Sequence, residues 1–115
     1  MANTFKLVSK ANVTTADIIY TVAGSTTTVL LGILLGNTTG SAITATVSLG
    51  SDTAGRAGNN DEANQTVELI TSTTIPGNSS LEILAGNKVV MEATDTLTVT
   101  GSGSTDIALS IMEIT

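Results

Sequence analysis

No stretch of this chain longer than about ten residues keeps apolar side chains at i, i+3, i+4 and i+7 without a turn signal breaking in. Apolar and polar residues alternate instead. Ile43, Ala45, Val47 and Leu49 are spaced by Thr44, Thr46 and Ser48, the period of a half-buried strand. Leu, Ile and Val total 30 residues, 19 of them β-branched, and 22 threonines add to that set. Such side chains are stiff at χ1 and pack well on a pleated surface. The expectation is an all-β chain of one domain, residues 1–115, with helix minor or absent.

Turn residues divide the chain at the short spacing of a sandwich or barrel. Phe5 to Val13 reads as extended, with residues 1–13 an N-terminal arm or edge strand. Asp17 to Val22 follows, with Ile18, Tyr20 and Val22 expected on one face. Thr27 to Leu35, Ile43 to Leu49 and Gln65 to Ile75 are further strands, the last with Val67, Leu69 and Thr71 inward. Gly36 to Ser41 reads as a loop, and Gly50 to Asn64 as a long exposed one. Pro76-Gly77 suits the centre of a type II turn. Ser80 to Leu84 and Lys88 to Met91 are expected to form a hairpin through Gly86-Asn87. Leu97 to Thr100, a flexible connection Gly101 to Ser104, and a strand from Asp106 to Thr115 close the chain. The sum is an antiparallel β-sandwich of about eight strands, jelly-roll or immunoglobulin-like.

Two segments are apolar on both faces. Val29 to Leu35 is one; in Asp106 to Thr115, Ile107, Leu109 and Ile111 alternate with Ala108, Met112 and Ile114. Only one face of a strand can enter a sandwich core. The other predicts a subunit contact, since a bare apolar face is a hazard in a chain with only 14 charged residues.

Composition excludes chemistry as firmly as it favours strands. Without Cys or His, thiol and imidazole catalysis, zinc sites and disulfides are unavailable. A net charge of −6 with no basic cluster argues against nucleic acid and anionic membrane. Met1 to Lys6 lacks the basic and apolar regions of a secretory signal, and seven apolar residues from Val29 fall well short of the ~20 a membrane helix needs.

Three phrases carry a family resemblance: Ile19-Tyr20-Thr21-Val22-Ala23-Gly24-Ser25-Thr26-Thr27-Thr28-Val29, Ile75-Pro76-Gly77-Asn78-Ser79-Ser80-Leu81 and Val90-Met91-Glu92-Ala93-Thr94-Asp95-Thr96-Leu97. With the polar start Met1 to Lys6 and the closing Glu113-Ile114-Thr115, the chain resembles the small Thr-rich virion structural proteins of tailed bacteriophages, of the cyanophage and marine-phage type. That resemblance implies a capsid decoration (cement) protein, or a tail, neck or fibre-attachment component. It implies the phage major capsid protein or other virion proteins as partners, self-association with a trimer favoured, and a place in the virion after assembly in the host cytoplasm. It carries no active site.

Candidate sites are few. Asp52, Asn59, Asn60, Asp61 and Glu62 offer hard oxygen ligands in one loop, but their spacing does not match a calcium loop. Serine with Lys6, Lys10 or Lys88 has no supporting spacing, and the ten acids are scattered as on a solvated face. Gly101-Ser102-Gly103 precedes a strand rather than a helix N-terminus, so it is not a phosphate cradle. No catalytic, cofactor or metal residue is therefore assigned, and the chain is read as no enzyme. An adhesin or carbohydrate-binding module is the outside alternative, weakened by an aromatic complement of Phe5 and Tyr20 alone.

Overall fold

The computed structural model describes residues 2–51, 65–84 and 86–115. Among them there is no helix, and nine strands follow in order. They are β1 (Asn3–Val13), β2 (Ala16–Thr21), β3 (Thr27–Asn37), β4 (Ile43–Ser51) and β5 (Gln65–Ile75), then β6 (Ser80–Glu82), β7 (Val89–Met91), β8 (Thr96–Gly101) and β9 (Thr105–Ile114). Every pairing is antiparallel.

One sheet runs β1-β9-β3-β6 with β7 also on β3; the other runs β2-β8-β4-β5. β6 and β7 do not pair with each other as the expected hairpin would. Both lie along the same edge of β3, with Leu81 opposite Leu35 and Val90 opposite Val29. They are one interrupted strand, because the chain at Gly86-Asn87 continues along β3 instead of reversing. Counting them together leaves eight strands and a simple nesting. The first pairs with the last, the second with the seventh, the third with the sixth and the fourth with the fifth. A long antiparallel hairpin wrapped into two facing sheets is a jelly roll, which decides between the two sandwich topologies.

The core lies between the sheets. Leu30, Ile33 and Leu35 of β3 and Ile107, Leu109 and Ile111 of β9 face Val47 of β4 and Leu97 and Val99 of β8. Burying each such side chain stabilises the fold by about 1.5–3 kcal/mol before the entropy of ordering it. The alternation predicted for β4 and β9 therefore holds, and β8 buries Leu97 and Val99 in the same way.

Irregularities of the ladder overturn it elsewhere. In β2 the register shifts between Ile18 and Tyr20, so Ile18 faces solvent while Tyr20 and Val22 turn inward. In β5 two shifts put Ile70 opposite the buried Val47; Leu69 packs against the core as read, but Thr71 is exposed. Val67 stays over half exposed at the sheet edge.

Turns were also misread. The Pro76 carbonyl accepts from Ser79 N–H, so the central residues are Gly77 and Asn78, and Asn78 carries the positive φ of 56°. Gly77 is needed for closeness: a Cβ there would lie 2.5 Å from the Gly40 carbonyl oxygen. Gly101 to Ser104 is packed rather than free. A Cβ on Gly103 would meet Ile43, and Thr38, Thr44, Thr105 and Asn12 all hydrogen-bond to the turn. The expected loop Gly50 to Asn64 begins later than read, because Gly50 and Ser51 complete β4, while Gln65 opens β5 as expected. Its remainder, with the candidate ligands Asp52, Asn59, Asn60, Asp61 and Glu62, lies outside the described residues.

Candidate interaction surface

Pairing registers place the outward side chains in rows. Phe5, Met112, Val29 and Val90 form one row straight across β1, β9, β3 and β7. Ser9, Ala108, Leu34 and Glu82 form another across β1, β9, β3 and β6. Between them lie Leu7, Ser110 and Gly32, where the register shift at Leu31 adds one more apolar side chain. Phe5 is 72 % exposed, Leu7 69 %, Val90 63 % and Leu34 45 %. Met112, Val29 and Leu31 are half-buried by their neighbours. The two segments expected to be apolar on both faces thus have one face in the core and the other on this surface.

The opposite outer face is of different character. Thr96, Thr98 and Thr100 of β8 lie beside Thr46 and Ser48 of β4, with Ile18 the one large apolar side chain among them. Hydroxyls there also bond the backbone, as when Thr46 Oγ1 accepts from Ser72 N–H. The sandwich therefore has one greasy side and one wet side.

Polar groups between the sheets are occupied with structure. At one end Tyr20 Oη donates to Glu113 Oε2 at 2.5 Å and lies 2.8 Å from Thr28 Oγ1, while Lys6 Nζ sits 2.6 Å from Glu113 Oε1. Burial, followed by the bond to the Glu113 carboxylate, pushes the Tyr20 phenol up to about 12. The Lys6 ammonium, and after it the Tyr20 hydroxyl, hold Glu113 below its ordinary value. At the other end Asn37, only 3 % exposed, donates through Nδ2 to the carbonyls of Ser41, Ile75 and Pro76. Its Oδ1 accepts from both the N–H and the hydroxyl of Thr39. One amide thus ties the β3–β4 loop to the β5–β6 turn.

Two of the three lysines weighed with serine are held in ion pairs. Lys6 is paired with Glu113, and Lys10 lies 3.5 Å from Asp17. A groove of about 350 Å³ opens beside Leu49, Val67, Val90, Met91, Glu92 and Asp95. Asp95 Oδ2 accepts from Glu92 N–H, which shapes the turn before β8. Among the described residues no three acids come together as metal ligands. The sequence pointed to the apolar strands but missed Asn37, whose only trace was an asparagine at the end of an apolar run.

No protein-family model and no curated protein matches the chain. Solved structures do. A chain of infectious bursal disease virus, Gx strain, is similar over 96 % of this chain and 32 % of its own, with 8 % identity and a TM-score of 0.55. Another, from the T13 particle of that virus, is similar over 96 % and 35 %, with 9 % identity and a TM-score of 0.51. This chain spans about a third of the length of those viral chains. A chain of the Bacillus endospore appendages, which form disulfide-linked pili, is similar over 99 % of this chain and 87 % of its own, with 19 % identity and a TM-score of 0.47. The likeness to the virus chains is one of fold. It agrees with the jelly roll read from the strand order, a fold that viral capsid, lectin and cupin domains share.

Proposed function

We propose that this protein is a virion structural component that acts by binding rather than by catalysis, most specifically a decoration protein seated on a bacteriophage shell. The observation that carries the proposal is the asymmetry of the sandwich. The outer face of the β1-β9-β3-β6/β7 sheet is apolar from Phe5 to Val90, and the other outer face is lined with threonine. Such a subunit lays its apolar side on the shell, across neighbouring copies of the major capsid protein, and turns its hydroxyl side to water. The resemblance to Thr-rich phage virion proteins supports that placement, and the fold shared with virus-particle chains supports a structural role. Threefold grouping, which the resemblance also implies, follows from the positions a shell offers.

The effect is mechanical. Apolar area removed from water contributes roughly 25 cal/mol per Å², less the cost of association, at each of many equivalent sites. Binding to the closed shell and not to an opened one then stabilises closure by mass action. Quantitative mass spectrometry of purified particles from the genome that encodes this chain tests the reading. Hundreds of copies per particle are expected. A dozen or fewer would assign it to the tail or neck, and absence from particles together with glycan binding would make it a carbohydrate-binding module.

A further inference from the structure

Strand β1 ends its sheet, with β9 as its one strand neighbour among the described residues. The pairing shows which of its backbone groups face the open side. Ala2 N–H donates to the Thr115 carbonyl and Thr115 N–H to the Ala2 carbonyl, each at 3.0 Å. From that reciprocal pair the two pair types alternate along an antiparallel ladder. Thr4, Lys6, Val8 and Lys10 therefore bond to β9, while Asn3, Phe5, Leu7 and Ser9 turn N–H and C=O to the open edge. The side chains of those same odd residues stand on the apolar outer face. Nearly the whole strand is exposed.

We infer that this edge pairs with β1 of a second copy, antiparallel about a twofold axis at Leu7, joining two sheets into one. Outward backbone groups must oppose outward backbone groups, so odd residues face odd residues. That leaves few registers. An axis at Lys6 sets Lys6 against its own copy, and one at Val8 sets Lys6 against Lys10, so both oppose like charges. Axes at Phe5 or Ser9 shorten the overlap. An axis at Leu7 sets Leu7 against Leu7, Phe5 against Ser9, Lys6 against Val8 and Thr4 against Lys10. It uses the regular ladder up to the shift between Lys10 and Val13.

Charge favours the same place. Two copies at −6 each repel, yet β1 contains no acid, and its two lysines are already held by Glu113 and Asp17. Lysines on an edge usually deter pairing. Here they alternate with the outward residues, point to the inner side and are neutralised within their own chain. The twofold also keeps both apolar faces on one side of the joined sheet, so the surface that seats on a shell doubles without a break. The pairing belongs to the free protein and does not depend on the particle.

The chain has no cysteine, so a single introduced thiol is unique. About a twofold at Leu7, a residue and its copy separate along the strand by twice their distance from Leu7. That is roughly 14 Å at Ser9 and roughly 27 Å at Asn3 for a rise of ~3.4 Å per residue. With a short bis-maleimide, Leu7→Cys is expected to give covalent dimers and Asn3→Cys none. Ser9→Pro removes an N–H that points outward and no bond to β9, so it is expected to stay folded by circular dichroism and to halve the mass seen by light scattering. A monomeric wild-type protein, equal cross-linking at positions 3 and 7, or a folded Ser9→Pro protein that remains dimeric would each overturn the inference.

Discussion

Leu109 and Met112 lie three residues apart on β9, yet point to opposite sides of the sheet, so the same substitution at each separates core from surface. Leu109 is fully buried between Val8 and Ile33 in the cluster that holds Val47 and Val99. Leu109→Asp loses a side chain worth about 2–5 kcal/mol at such a site. It also buries a carboxylate with no positive partner, at several kcal/mol more after relaxation. The sum matches or exceeds much of the roughly 5–15 kcal/mol that holds a domain together. Met112 is half-buried on the outer face between Phe5 and Val29, where an aspartate keeps its water. The expected cost of Met112→Asp to folding is about 1 kcal/mol. Circular dichroism with urea titration should find Leu109→Asp unfolded and Met112→Asp folded, and co-sedimentation should find the latter no longer bound to particles. If Met112→Asp unfolds the chain as completely as Leu109→Asp, the outer face is core and the proposed seating surface does not exist.

Three further expectations rest on other parts of the molecule. Asn37→Asp replaces a donor facing three carbonyls with a carboxylate; with each lost bond worth about 1 kcal/mol, a 3–4 kcal/mol loss is expected in denaturant titration, and a loss under about 1 kcal/mol would remove Asn37 as the tie between its two turns. Tyr20 is the sole tyrosine, so its phenolate absorbance can be titrated alone, with a midpoint near 12 when folded and nearer 10 in urea. Because the folded value is the higher, its stabilising contribution is complete below about 10 and lost as pH rises toward 12. An unshifted midpoint would break the Tyr20–Glu113 link. Gly77→Ala forces a methyl against the Gly40 carbonyl at a φ that alanine tolerates, so a loss of about 1–3 kcal/mol in thermal unfolding would come from the clash alone, and an unchanged Tm would rule out the close approach.

Much of the fold was legible because strand periodicity is a local property. Ile43 to Leu49 and Ile107 to Ile111 show their buried face in the spacing of their own residues, and the structure keeps it. The surplus apolar face was legible for the same reason: Val29 and Met112 alternate with core residues, and a strand has only two sides. Where the ladder slips, local spacing misleads. Ile18 looks equivalent to Tyr20 until the shift opposite Thr98 and Leu97 turns it outward, and that shift is a property of two strands.

By itself the sequence determined that the chain would be a β-sandwich, that it would carry no thiol or imidazole chemistry, and that its strands hold more apolar surface than one core can bury. Each of these depends on which side chains are present and how they alternate. Only the tertiary structure decided that β6 and β7 continue along β3 instead of pairing, that the wrapping is a jelly roll, and that the surplus apolar residues join in rows across β1, β9, β3 and β7 on a single outer face. Those outcomes depend on which strands lie side by side and in what register. Hydrogen bonds between residues as distant in sequence as Ala2 and Thr115 set that register, and no local pattern in either strand records it.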